Sequence, residues 1–443
     1  MKDVEIIQFT NRIMETLLEK GPRRRRRMRC PKCGSLKTIL YGKRPIRPGS
    51  MNGHSIREVQ KYRCNDCSGV FSLRVDKGQK YGFDFKSELV RMHVEERMSY
   101  RVMSKRLREK YALNISPIYL CRMVNEVAKL SKTSIEICRE FNPKWEGYIA
   151  VDDKYIRVRG KRYLCLVAVD TTGDPVHLEL IEEPNQDAYD NFFRYLVDHL
   201  GYQVRAITTD LDPMLDNAVK NVFGSQILHQ KCIWHGLEII KRQIDYQKTR
   251  QSYLRFKKKC DDLSASLEDK KVYYDSTREK LQRMRSDFAV LEEEYLAKEK
   301  LLSDIREMFK NNTNSEVTKE LKVIKRRYRT KYPKVISFLT DNFDGLTTYT
   351  INQRIPKTNI MAENFNRQLQ RRLKTIEAFQ TFSTAFNYLN MIRNYLRFKP
   401  FTDCKRERRY RNGFAPIELC KVKLASRDWI KNSINLPKSP TAD

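Results

Sequence analysis

The stretch YIAVDDKYIRV, Tyr148 to Val158, decides the fold. Before it the apolar residues recur at helical spacing, and from Tyr148 onward they take the period of strands. Two further strands follow, RYLCLVAVD (Arg162 to Asp170) and PVHLELIEE (Pro175 to Glu183), with turns at Gly160-Lys161 and Thr172-Gly173-Asp174. DAYDNFFRYLVDHL (Asp187 to Leu200) is an amphipathic helix and VRAITTD (Val204 to Asp210) a buried strand. DPMLDNAVKNVF (Asp212 to Phe223) is a second helix and SQILHQK (Ser225 to Lys231) another strand. The order β-β-β-α-β-α-β predicts an α/β domain, a mixed sheet with helices on its faces.

The chain around this sheet is basic throughout. Its 443 residues carry 87 Lys and Arg against 55 Asp and Glu, a formal charge of +32, spread from end to end. Such self-repulsion is tolerated most easily when the partner is a polyanion, and nucleic acid is the first candidate. A membrane partner is set aside, because no apolar run approaches ~18 residues and the N-terminus lacks a signal-peptide core. Most of the eleven cysteines are scattered singly, which suits a reducing cytosol.

Four cysteines are grouped. Cys30 and Cys33, then Cys64 and Cys67, form a CxxC…CxxC array in which two turns offer four thiolates to a tetrahedral Zn²⁺. Gly42, Pro45, Pro48, Gly49 and Gly53 between the pairs suit hairpin loops, so residues 1–80 read as a basic arm and a zinc ribbon. The arm is Arg23, Arg24, Arg25, Arg26 and Arg27, a run suited to phosphates or a minor groove. Residues 81–140 have helical periodicity. Leu89, Val90, His93 and Val94 mark one helix, Val102, Met103, Leu107 and Tyr111 a second, and Ile118, Leu120, Cys121 and Val124 a third behind a short turn. That is the pattern of a helix-turn-helix, and equally of a small structural bundle.

Past the strands (145–236) comes a helical insertion, 237–350. Tyr253, Cys260, Leu267, Tyr274, Leu281, Phe288, Tyr295, Leu302 and Phe309 recur every seven residues, with a weaker offset series from Phe256 to Ile305. The unbroken register favours one projecting helix of roughly 80–90 Å that pairs with a second copy. A hairpin folded near Asp275-Ser276 is the alternative.

Residues 351–443 hold NIMAENFNRQLQRRLK, Asn359 to Lys374, a helix opened by Asn359 with one acid, Glu363, among cations. Glu363, Arg367, Gln370 and Lys374 share a face. Taken alone, Glu363 is half of an intrahelical pair with Arg367, worth a few tenths of a kcal/mol. Three quoted segments together resemble the DDE transposases of prokaryotic insertion sequences, whose catalytic domain is ribonuclease-H-like. VDDKYIRVRGKRYLCLVAVD is similar to the first catalytic strand pair, with Asp152 as its acid. AITTDLDPMLDNAV is similar to the second, with Asp210. TNIMAENFNRQLQRRLK is similar to the third, with Glu363 as the acid and Asn366 and Arg371 on the same helix. QKCIWHGLEIIK is similar to the Cys-x-x-His element of Mutator-type relatives, here Cys232 and His235, and RNGFAPIEL (Arg411 to Leu419) to the close of many such enzymes. The long coiled segment between Asp210 and Glu363 is the departure.

The resemblance implies a ribonuclease-H-like sheet whose first and fourth strands lie side by side. Asp152, Asp210 and Glu363 would then hold Mg²⁺ or Mn²⁺ through hard oxygen ligands. Of the adjacent Asp152 and Asp153 only one can face the metals, and the resemblance chooses Asp152. Asp212, before Pro213, reads as a helix N-cap, which leaves Asp210 as the ligand. Cys232 and His235 could bind zinc with His229, but a packing or DNA-contact role is favoured. Trp234 reads as core, with an aromatic wedge against DNA as the sharper alternative. The cations Arg367, Arg371 and Lys374, with Asn366, would hold the DNA backbone.

The implied activity is metal-dependent strand cleavage at transposon ends and 3′-hydroxyl transfer into target double-stranded DNA, by a homo-oligomer associated with the nucleoid in the prokaryotic cytoplasm. A non-catalytic DNA-binding regulator and a structure-specific nuclease of the same fold are the alternatives.

Overall fold

A computed structural model of the chain describes residues 29–46, 49–50, 53–54, 57–72, 81–269, 275–376 and 378–435. Arg23 to Arg27 lie outside the described residues. The chain divides into two units: Met1–Glu88 with Glu109–Leu113, and Leu89–Arg108 with Asn114–Asp443.

In the first unit β1 (Thr38–Ile46), β4 (Arg57–Cys64) and β5 (Val70–Ser72) form an antiparallel sheet in the order β1-β4-β5, while the two-residue strands β2 (Gly49–Ser50) and β3 (Gly53–His54) pair with each other. Each CxxC pair sits on a tight turn. The Gly34 N–H donates to Cys30 O at 2.8 Å, and Gly34 takes φ +74°. Ser68 takes the same left-handed place after Cys67 with φ +52°.

Helices α1 (Phe83–Val90), α2 (Tyr100–Tyr111), α3 (Pro117–Ala128) and α4 (Ser134–Phe141) follow. Ser116 caps α3 by accepting from the Tyr119 N–H at 3.3 Å, and the Ser104 hydroxyl donates to Ile115 O at 2.5 Å across the turn. Met103 and Leu107 of α2 are buried, as are Leu120, Met123, Val124 and Val127 of α3. Val102, Tyr111, Ile118 and Cys121, read as inward-facing, are exposed. On α3 the core lies at spacings of three and four from Leu120, which turns Ile118 outward.

The five-stranded sheet comprises β6 (Tyr148–Val158), β7 (Lys161–Asp170), β8 (Pro175–Ile181), β9 (Ala206–Thr209) and β10 (Leu228–Lys231) in the order β10-β9-β6-β7-β8. β6, β9 and β10 run parallel, and β7 and β8 are antiparallel to their neighbours. Tyr148 to Asp152 are all buried, whereas Tyr155 to Val158 alternate. A strand covered on both faces needs a continuous apolar run, and one with a free face needs alternation. One face is covered by α5 (Gln186–Arg194) and α6 (Pro213–Phe223), where Ile149, Val151, Leu164 and Ile207 pack with Phe192, Phe193 and Leu215.

The insertion begins with α7 (Ile233–Gln243) and continues as two helices, α8 (Tyr246–Asp269) and α9 (Asp275–Met308). They run back along each other. Tyr253 stacks on Tyr295 with ring centroids 4.4 Å apart and lies 5.4 Å from Phe288, while Lys298 Nζ donates to the Thr249 hydroxyl at 2.7 Å. The structure therefore takes the hairpin instead of the single long helix. A heptad seam is satisfied by any apolar partner, and here the two arms supply each other. Leu301, Leu302, Ile305 and Met308 then enter a core with α10 (Asn314–Tyr328) and α11 (Pro333–Asp341).

The chain returns as α12 (Ile360–Leu373), α13 (Phe382–Phe398) and the short α14 (Trp429–Ser433). A fully buried ion pair fixes α13 to the sheet: Arg397 Nε donates to Asp174 Oδ1 at 2.7 Å, and the Trp145 Nε1–H donates to Asp174 Oδ2 at 2.8 Å. Replacing one partner leaves a buried charge unpaired, which costs about 3–5 kcal/mol. Arg397→Met is expected to lower unfolding stability in urea by that amount, and Arg397→Met with Asp174→Leu to recover part of it.

Candidate metal and nucleic-acid site

The register of β6 against β9 builds the site. Tyr148, Ile149 and Ala150 pair with Ala206, Ile207 and Thr208. Two residues further along each strand lie Asp152 and Asp210, so the two acids emerge together from neighbouring parallel strands. Asp152, Asp153 and Asp210 each bring a carboxylate oxygen within 4.8 Å of the others. Asp153 joins the group although alternation would turn it away. It lies beyond Ala150, the last residue of β6 that β9 holds.

Asp152 is 8% exposed and clamped by two amides. Asn366 Nδ2 donates to its Oδ2 at 2.8 Å, and Asn359 Nδ2 to its Oδ1 at 3.3 Å. Asn359 occupies the N-cap position of α12, yet its side chain makes no capping bond and turns to Asp152 instead. No local signal announces that role, because an Asn before a helix reads as a cap. Asp212 behaves as a cap, accepting from the Met214 N–H at 2.7 Å. Asp170 is fully buried and receives the Tyr202 hydroxyl and the Thr172 N–H, as a turn residue would.

Burial pushes the Asp152 carboxyl up to about 6; the Asn366 hydrogen bond opposes the rise, and the charges of Asp210 and Glu363 add to it. Burial with the charges of Asp210 and Asp152 pushes Asp153 up to about 7, and Asp210 is raised, first by burial. This is the signature of a site that holds protons when no cation neutralises it.

Glu363 reaches the same hollow from α12. The hollow, about 480 Å³, is lined by Asp152, Asp153, Glu363 and Asn366 together with the cations Lys154, Arg367, Arg371 and Lys374. Arg367, Arg371 and Lys374 are exposed, and Gln370 lines the hollow beside them. Glu363 makes no ion pair with Arg367 among the described residues. Arg367 bonds to Asn364, and Glu363 Oε1 faces His235 Nδ1 at 3.9 Å.

Cys232 precedes α7 with its side chain fully buried, and burial pushes its thiol up to about 11. It has no surface with which to touch DNA. His229 faces elsewhere: its Nε2 is 2.8 Å from the Thr209 hydroxyl and 3.8 Å from Asp216. Trp234 is not core. It is 49% exposed on the rim of the hollow, edge-on to His235 with centroids 5.0 Å apart.

In the first unit the four thiols fit a structural zinc. Tetrahedral bonds of about 2.3 Å put sulfurs roughly 3.8 Å apart. Cys30 and Cys67 are 3.7 Å apart, Cys33 and Cys64 3.6 Å, and all four lie within 4.8 Å of one another. The Cys67 N–H, and then that of Asp66, bring the Cys64 thiol down to about 7 against the effect of burial.

Comparison with known proteins agrees with this geometry. Residues 147–263 match the family described as a DDE domain, and residues 284–397 the family described as Transposase, Mutator family. The first match contains Asp152, Asp210 and the Cys232–His235 element, and the second contains Glu363. The two matches support a DDE transposase of an insertion sequence. No curated protein matches the chain. Among solved structures there is a likeness to a chain of "CryoEM structure of simian T-cell lymphotropic virus intasome in complex with PP2A regulatory subunit B56 gamma", at 14% identity and a TM-score of 0.17. It covers 30% of this chain and 48% of that one, so it spans about half the length of the chain it matches and carries no argument. No helix among the described residues is long and apolar enough to cross a membrane.

The raised carboxyls set a pH dependence. Acids whose folded-state pKa lies above the ordinary carboxylate value bind more protons folded than unfolded, so stability falls as pH rises through that window. Without divalent cations, thermal stability is expected to fall between about pH 4 and pH 7. Asp153→Asn is expected to melt higher than wild type at pH 7 and level with it at pH 4.

Proposed function

We propose that this chain cleaves DNA strands at transposon ends and transfers the freed 3′-hydroxyl into target DNA. The observation that carries the reading is the convergence of Asp152, Asp153 and Asp210, with Asp152 and Asp153 lining one hollow together with Glu363 and the cations Lys154, Arg367, Arg371 and Lys374. Hard oxygen donors in that number suit Mg²⁺ or Mn²⁺. Such ions activate a water or a 3′-hydroxyl and stabilise the leaving oxygen of a phosphodiester.

The catalytic set is Asp152, Asp210 and Glu363. Asn366 and Asn359 orient Asp152 by donating to its two oxygens. Arg367, Arg371 and Lys374 hold the DNA backbone along the exposed face of α12, as point charges and planar forks do for phosphates. Trp234 presents a ring at the rim on which a displaced base can stack.

The zinc ribbon, the Arg23–Arg27 arm and the helices ending in α3 recognise the transposon ends. The exposed Ile118, Tyr119 and Arg122 near the start of α3 suit a recognition helix. Two ends must be held together for insertion, so the working form is a homo-oligomer on double-stranded DNA in the nucleoid of a prokaryotic cell. The Tyr253–Tyr295 seam is used within the chain. Pairing through the hairpin would therefore rest on its outer apolar residues, Leu254, Val290 and Leu296.

The test uses the DNA flanking the gene, purified protein and Mg²⁺ or Mn²⁺, and follows nicking and 3′-end joining on each strand. Wild type is expected to cut and join, and Glu363→Gln to bind the DNA equally but do neither. Binding without cleavage by both proteins would move the regulator ahead, and cleavage of branched DNA without joining the nuclease. Asn366→Ala, which frees Asp152 from its orienting amide, is expected to lower activity and metal affinity by about 10–100-fold, with the loss in activity partly recovered at high Mn²⁺.

A further inference from the structure

Next to the all-oxygen cluster lies a second group of different chemistry. A thiol sulfur of Cys232, a ring nitrogen of His235 and a carboxylate oxygen of Glu363 all come within 4.8 Å of one another. A second observation is independent of that clustering. His235 Nδ1 and Glu363 Oε1 are both buried atoms without a hydrogen-bond partner, and they face each other across 3.9 Å. That gap is too long for a hydrogen bond. A buried polar atom left unpaired costs about 1–3 kcal/mol, so two of them aimed at one point call for something between them.

We propose that Cys232, His235 and Glu363 form a binding site for a zinc-type ion beside the magnesium-type cluster of Asp152, Asp153 and Asp210, with Glu363 the residue that the two sites share. One sulfur, one imidazole nitrogen and one carboxylate oxygen are the donors that borderline-soft Zn²⁺ takes, and magnesium does not take thiolate. Tetrahedral bonds of about 2.0–2.2 Å place an imidazole nitrogen and a carboxylate oxygen roughly 3.3–3.5 Å apart, so the 3.9 Å between His235 and Glu363 needs to close by about half an ångström. Cys232 supplies its sulfur from a fixed place. Its N–H donates to Thr209 O at 2.8 Å, and its carbonyl accepts from the Gly236 N–H at 3.1 Å. The fourth position would open toward the hollow that His235 and Glu363 line. Cys232 and His235, on one turn of the chain, form one half of the site and Glu363 on α12 the other, so the ion would tie α7 to α12.

The site deepens the reading of Glu363 given above, but its test uses no DNA and so fails or succeeds separately. Full-length protein is dialysed against Zn²⁺ and its zinc counted. Wild type is expected to hold about two ions per chain, and Cys30→Ser with Cys33→Ser to retain about one. Adding Cys232→Ser or His235→Gln is expected to remove that one, while Asp210→Asn leaves it. Circular dichroism confirms that each variant is folded. Unmutated protein titrated with Co²⁺ gives a second, mutation-free readout, with two spectrally distinct environments expected, one with four sulfurs and one with a single sulfur. No zinc left after loss of the ribbon cysteines, a single four-sulfur cobalt spectrum, or a second zinc that survives Cys232→Ser but disappears with Asp210→Asn would each overturn the proposal.

Discussion

Like charges crowded at the end of an apolar sheet are the constraint on which this molecule depends. Asp152, Asp153 and Asp210 repel one another and lose hydration, which raises all three carboxyls. Nothing local would keep them together. They are held by what lies behind them, the fully buried Ile149, Val151 and Ile207. A slip of one residue between β6 and β9 would move those side chains to the opposite face of the sheet and take Asp152 out of line with Asp210, so the apolar packing enforces the electrostatic arrangement. Asn359 and Asn366 then offset part of the charge on Asp152 by donating to its two oxygens. The ordinary part of the fold supports the unfavourable part.

How far this was readable from the sequence follows from where each signal resides. The strands and their order were legible because a two-sided sheet needs continuous apolar runs, and LCLVAV in β7 can be little else. The paired cysteines were legible for the same reason, since four thiols at CxxC spacing have few other uses. The choice between one long helix and a hairpin near Asp275-Ser276 was not. Tyr253, Phe288 and Tyr295 occupy one heptad series, and that series reads the same whether its partner is another chain or the other arm of the same helix. Local pattern makes Asn359 a cap and Trp234 core, because those are the commonest local readings, and for Glu363 in isolation it offers only a pair with Arg367; the resemblance, not the local pattern, makes Glu363 the third acid. What displaced them is tertiary. Asp152, 207 residues away from Asn359 in sequence, comes within hydrogen-bond reach of it, and His235 arrives beside Glu363 from a different helix. Local pattern carries no trace of such pairings.

The insertion poses a geometrical problem that the structure resolves at its feet. More than a hundred residues separate Asp210 from Glu363, yet both come up beside Asp152. The entropy of closing a long loop rises only slowly with its length, so length is not the obstacle. Placement is. The chain leaves at Cys232, whose N–H is bonded to Thr209 O, and returns at Pro356 and Lys357. There Pro356 O accepts from the Thr208 hydroxyl at 3.2 Å, and Lys357 O accepts from the Ile233 N–H at 3.1 Å. Exit and return are thus pinned to the same strand end that carries Asp210. Just before the return, the Gln230 side chain bonds Leu346 O and the Tyr349 N–H, and the Thr348 hydroxyl donates to His229 O, which fastens the returning segment along β10. Six residues after Lys357 comes Glu363, already on the first turn of α12. Its position is set by hydrogen bonds at the base of the insertion, among them those from Lys357 Nζ to Phe309 O and Asn312 Oδ1 where the second hairpin helix ends, and not by the far end of the hairpin. A projecting hairpin can therefore vary in length and surface without moving the acid, provided its two feet keep their bonds to β9 and β10.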